Sequence, residues 1–118
     1  MAYLMFQYDR PIDTRNWNNY NRHVRDWIAQ LLTMPGAMSL MAYRAAHQNS
    51  PDTFTLLEFR TMEEARHAAA SEPVKHVLDE SRAFGAVAKV LLVERSPFTP
   101  EPILAAIQDA EIDPGTPV

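Results

Sequence analysis

Three of the four extended runs in this chain are apolar on both of their faces, and that property limits the folds open to it. Along Ala2–Tyr8 (AYLMFQY), Leu4, Phe6 and Tyr8 hold one alternation parity and Tyr3, Met5 and Gln7 the other. Along Thr53–Arg60 (TFTLLEFR) the two sets are Phe54, Leu56, Glu58 and Thr55, Leu57, Phe59. Along Ala86–Arg95 (AVAKVLLVER) they are Val87, Lys89, Leu91, Val93 and Ala88, Val90, Leu92. Successive side chains of a strand point to opposite faces, so a strand with one wet face alternates apolar and polar residues. These runs do not alternate, and both faces of the sheet they build therefore need cover.

The intervening segments cover only one face. Trp17, Tyr20, Val24, Trp27, Ile28 and Leu31 recur at three- and four-residue steps, the stripe of an amphipathic helix from Thr14 to Thr33. Asp13-Thr14 offers its N-cap, and Pro35-Gly36 ends it. Ala37–Ala45 is the second strand, followed by the polar loop His47-Gln48-Asn49-Ser50-Pro51-Asp52. Thr61 and Glu64 have capping-box spacing at the start of a second helix, from Met62 to Ala70. Ser71-Glu72-Pro73 interrupts that helix: Ser71 can cap a new turn and Pro73 suits the first turn. The helix resumes through Val74, Val77, Leu78 and Ser81 and ends near Phe84-Gly85.

The order is β-α-β-β-α-β, which predicts an α+β, ferredoxin-like fold with a four-stranded antiparallel sheet and helices on one face. A second copy of the sheet is the simplest cover for the other face. Two sheets face to face make a two-fold dimeric α/β barrel, so a homodimer through the sheet face is expected. Residues 1–96 form the domain. Residues 97–118 read as a proline-rich connector, a short terminal helix around Ile103, Leu104 and Ile107, and a frayed tail over Asp113–Val118.

Composition excludes several functional classes. With Lys+Arg 11 against Asp+Glu 15 the net charge is −4, which opposes a nucleic-acid grip and docking on an anionic membrane. Cysteine is absent, so no disulfide, thiol nucleophile or thiolate metal site is expected. With three glycines and no GxGxxG, P-loop or GxSxG, nothing supports a nucleotide cofactor or a serine nucleophile. No two histidines have i, i+4 spacing, which opposes a metal site. No run is long enough to span a membrane, and residues 1–10 lack a basic leader, so a cytoplasmic protein is expected.

The residues that carry chemistry are few. Of four histidines, His67 and His76 fall opposite apolar helix positions and His47 lies in a loop. His23 borders the stripe of the first helix one turn before Trp27, the one histidine placed to border a pocket and act as a base. Trp17, Tyr20 and Trp27 are either plain core or the wall of an aromatic-lined cavity. Tyr8 and Tyr43 end strands with hydroxyls that need partners if buried. Gln7, Glu58 and Lys89 share one strand parity, and the strand order allows them to be neighbours. They are either a paired cluster at the dimer interface or a polar grip inside a ligand cavity.

The β-α-β-β-α-β order, Met34-Pro35-Gly36 before the second strand, the TFTLLEFR strand and the Ser71-Glu72-Pro73 break together resemble the antibiotic-biosynthesis-monooxygenase-like (ABM) domains of the dimeric α/β-barrel superfamily. The resemblance covers residues 2–95. It implies a homodimer with a small cavity between sheet and helices in each subunit, and a cofactor-independent monooxygenase acting on an aromatic or enolisable small molecule. Under it His23 is the candidate base, Gln7, Tyr8, Tyr43 and Glu58 are candidate polar contacts, and Trp17 and Trp27 are the candidate apolar wall. The alternative is a non-catalytic ligand-binding or interaction protein on the same dimer. The haem-degrading branch is not expected, since Ala68 and Leu78 stand where that branch has Trp and His, and Gln7 falls near its strand-one Asn.

Overall fold

The computed structural model describes residues 1–10, 17–46, 48–85 and 88–106. The elements are β1 (Ala2–Tyr8), α1 (Trp17–Leu32), β2 (Ala37–Arg44), β3 (Thr53–Phe59), α2 (Met62–Ala69), α3 (Glu72–Ala83) and β4 (Lys89–Glu94). The expected second helix is thus two helices, broken at the Ser71-Glu72-Pro73 step. Ser71 takes the N-cap position of α3 with no side-chain cap bond. Its hydroxyl instead donates back to the Ala68 carbonyl at 2.5 Å. The Asp13-Thr14 cap, His47, the Ala86-Val87 start of the fourth run, Ile107 and the tail over Asp113–Val118 lie outside the described residues. Ile103 and Leu104, expected in a terminal helix, are exposed and non-helical.

The sheet order is β2-β3-β1-β4, with each neighbouring pair antiparallel. This is the ferredoxin-like arrangement that the order of elements predicts. Ala2, Leu4 and Phe6 of β1 and Thr53, Thr55, Leu57 and Phe59 of β3 are buried toward the helices. There they meet Tyr20, Trp27 and Leu31 of α1, Ala65 and Ala68 of α2, and Val74 and Val77 of α3. Burying a large aliphatic or aromatic side chain contributes about 1.5–3 kcal/mol, so this layer is the main source of stability.

The opposite face carries Tyr3, Met5 and Gln7 in register with Glu58, Leu56 and Phe54 on one side and Val93, Leu91 and Lys89 on the other. Met41 and Tyr43 of β2 continue it beside Leu56 and Phe54, and both are more than half exposed. Among the described residues no helix covers this face.

Two local devices hold the connections. At the start of α2 the Glu64 amide donates to the Thr61 hydroxyl at 3.1 Å, and that hydroxyl donates to the Glu64 carboxylate at 3.2 Å. The carboxylate packs against Gly36, whose φ of 83° is left-handed and where an added Cβ would collide with it. The turn out of α1 and the start of α2 are therefore fitted to one another.

Candidate functional site

A cavity of about 230 Å³ lies between α1, α3 and the helix side of the sheet. Val24, Trp27, Ile28 and Leu31 of α1 form one wall and Val77, Leu78 and Ser81 of α3 another. Phe6, Leu40, Ala42 and Thr55 form the sheet floor. Cavities of about 150 Å³ lined by such side chains hold a benzene molecule, so this one has room for a substituted ring or two fused rings.

The cavity is apolar along most of its length and polar at one end. Tyr8, Tyr20, Val24, Arg44 and Thr53 line it and also line an adjoining cavity of about 170 Å³, completed by Arg10, Trp17 and Asn21. Burial, with the neighbouring Tyr8, raises the Tyr20 hydroxyl well above the ordinary tyrosine range, so this group stays protonated and serves as a hydrogen-bond donor. Arg10 and Asp52 brace this end. Asp52, only 2% exposed, accepts from the Arg10 amide at 3.0 Å and from the Thr53 hydroxyl at 2.9 Å, and lies 3.3 Å from Arg10 Nε. Burial pushes its carboxyl up, but those donors outweigh burial and hold it below the ordinary aspartate value. Arg10 also donates from Nη2 to the Ala45 carbonyl at 2.6 Å, which ties the end of β1 to the end of β2.

Trp27 faces two ways. Its ring lines the cavity, while its indole N–H donates to Glu80 Oε1 on α3 at 2.8 Å. His76 Nε2 lies 2.9 Å from the same oxygen and His23 Nδ1 3.8 Å from it. The indole hydrogen bond holds the Glu80 carboxyl below its ordinary value against partial desolvation, and His76 and His23 add to it. His23 packs on Phe84, ring centroids 5.1 Å apart, and on Trp27 at 5.9 Å.

The structure divides the sequence-derived candidates into three groups. Tyr8, Trp17 and Trp27 line the cavities, although Trp17 is 45% exposed and so is not plain core. His23 belongs to the Glu80 cluster and lines neither cavity. Gln7, Tyr43 and Glu58 sit on the other face of the sheet, with the sheet between them and the cavity. Nor are the three polar residues one cluster. Gln7 is opposite Lys89, but Glu58 is opposite Tyr3, four residues further along β1. Gln7 donates to the Met5 sulfur at 3.3 Å, and Glu58 accepts from Ser39 at 3.1 Å.

Sequence reasoning passed over Arg44, Arg10, Asp52 and Glu80. Arg44 shares the parity of Leu40 and Ala42, a signal that was present in β2. Asp52 and Glu80 acquire their roles from residues 42 and 53 positions away, and local spacing carries no trace of that.

No family model and no curated protein matches the chain. Solved structures do. One is a candidate antibiotic biosynthesis monooxygenase from Deinococcus radiodurans, at a TM-score of 0.64 and 8% identity, covering 89% of this chain and 98% of that one. A second is SnoaB, a cofactor-independent oxygenase from Streptomyces nogalater, at a TM-score of 0.62 and 12% identity, covering 85% and 98%. The fold is that of the antibiotic biosynthesis monooxygenases. A third structure of the same shape is an ethd family protein from Bacillus halodurans, at a TM-score of 0.61 and 14% identity, covering 81% and 99%. The ABM-like fold thus spans most of the chain, at identities that speak to architecture alone.

Proposed function

We propose that this chain is a homodimeric ABM-like protein that encloses a small planar ligand between α1, α3 and the sheet and oxidises it without a cofactor. The observation that carries this reading is the 230 Å³ cavity, mostly apolar, which has two tyrosine hydroxyls and a guanidinium gathered at one end. Its shared fold with a cofactor-independent oxygenase supports it. In such chemistry the substrate supplies the electrons. A ring CH₂ made acidic by a neighbouring carbonyl loses a proton, and its carbanion reacts with dioxygen. One oxygen atom stays as a carbonyl and the other leaves as water. The protein needs to hold the anion, stabilise its oxygen and exclude bulk water. Tyr8 and Tyr20 are placed to donate to that oxygen, and Trp27 and Leu78 to hold the ring.

The dimer forms through the open sheet face. Its apolar centre of Met5, Met41, Leu56 and Leu91 supports this, since a patch of this kind marks an interface.

The second reading is a ligand-binding protein with no reaction. The position of His23 favours it, because the expected base is turned to Glu80 rather than to the cavity. One experiment separates the two. A panel of anthrones, naphthols and hydroquinones is titrated against Trp fluorescence, with dioxygen uptake followed in parallel. Quenching with uptake supports the oxygenase, quenching without uptake supports the binding protein, and no quenching removes both.

A further inference from the structure

Among the described residues the cavity has one charge with no ion-pair partner, and its position defines what the ligand carries. Two guanidinium groups stand at the polar end. Arg10 is occupied, beside Asp52 at 3.3 Å and bonded to the Ala45 carbonyl. Arg44 ends β2, lines both cavities, and makes no ion pair among the described residues. Arg10 and Asp52 are of opposite sign, so among the described residues lining this end the positive charge of Arg44 is left over. It stands in a chain whose overall charge is −4 and whose long-range field repels anions. Tyr20 lines the same end, and burial keeps its hydroxyl protonated, so it too is a donor and not a counter-ion.

From this we infer that the ligand is an aromatic acid: its ring fills the apolar end, and its carboxylate sits on Arg44 with the Tyr20 hydroxyl beside it. The inference rests on the ligand-binding reading above and adds the substrate class. A planar guanidinium presents paired N–H donors that match the two oxygens of a carboxylate. The apolar wall of Val24, Ile28 and Leu31 lies beside that contact, while the exposure of Arg44 to solvent limits its strength. The geometry also orients the ligand, because a carboxylate at Arg44 drives the far edge of the ring toward Trp27 and Leu78.

The test compares naphthoate with its neutral isostere naphthamide by Trp fluorescence titration, in the wild type and in Arg44→Gln and Arg44→Lys. The expected result is about tenfold tighter binding of naphthoate by the wild type, a preference that weakens as salt is raised. Arg44→Gln is expected to abolish the preference by weakening naphthoate about tenfold more than naphthamide, and Arg44→Lys to retain part of it. Thermal melts of both variants check that they remain folded. Equal binding of the two ligands by the wild type overturns the inference and leaves the cavity reading standing. So does a preference that survives Arg44→Gln. If neither ligand binds, the cavity reading falls, and the inference with it.

Discussion

The indole N–H of Trp27 and the carboxylate of Glu80 are joined at 2.8 Å across the gap between α1 and α3, the two helices that wall the cavity. The same ring that lines the cavity with its face therefore holds the wall in place with its edge. Trp27→Ala is expected to cost about 3–5 kcal/mol, the range for truncating a large buried aromatic. Trp27→Phe keeps most of the volume and loses the bond. A melt of each variant, with and without naphthoate, separates packing from the tie.

Glu80 makes that tie sensitive to acid. Its carboxyl is held below the ordinary glutamate value in the folded chain, first by the indole and then by His76 and His23. Its stabilising contribution is thus complete above the ordinary value and is lost as pH falls through the folded value. Urea unfolding between pH 2 and 7 (about two units either side of the ordinary value) checks this. Glu80→Gln is expected to be less stable than the wild type near neutrality and to converge with it in acid.

Asp52 follows the same sign with more at stake, because it is buried. Asp52→Ala strands the Arg10 guanidinium and the Thr53 hydroxyl and is expected to cost about 2–3 kcal/mol, the range for losing hydrogen bonds to a charged group. Since Arg10 borders the cavity, the same variant is expected to weaken anionic ligands less than Arg44→Gln does. Denaturation and ligand titration of one preparation measure both.

Gly36→Ala tests the fit between the turn after α1 and the cap of α2. The left-handed backbone alone costs roughly 1–2 kcal/mol for a residue with a Cβ, and the Glu64 carboxylate must move as well. Combined with Glu64→Ala, the two changes are expected to be less than additive, because the second removes the collision. A double-mutant cycle by chemical denaturation gives the coupling.

Self-association through the open face predicts a sedimentation mass of twice the 13.4 kDa chain. Met41→Glu, at the apolar centre, is expected to dissociate the dimer, since an unpaired charge there cannot be desolvated. Lys89→Glu, at the end near Gln7, is expected to weaken it less. A folded wild type that sediments at 13.4 kDa at micromolar concentration removes the dimer.

Much of the fold was legible because its signals are local. The stripe from Trp17 to Leu31, the Thr61–Glu64 pair and the parities of Ala2–Tyr8 each act within a few residues, and each element appears within a few residues of its expected limits. The site was legible only in part. Tyr8 and Trp27 were found because an aromatic on a core-facing position must border whatever space the core leaves. His23 flanks the same stripe, and its position in the sequence alone does not separate it from the cavity-lining residues. A helix flank looks toward a neighbouring helix as readily as toward the sheet, and α3 supplied Glu80. Gln7 and Glu58 share a parity, but parity gives the face and not the register. Only the pairing of β1 with β3 sets them four positions apart.

That pairing has a consequence for how the chain tolerates change. On β1, Leu4, Phe6 and Tyr8 face the helices, the last two at the cavity, while Tyr3, Met5 and Gln7 face the open side, so neighbouring positions answer to different demands. Point substitutions can alter recognition and assembly separately. Inserting or deleting a single residue within β1 exchanges the two sets in one step, so this central strand is free to vary in composition and almost closed to change in length.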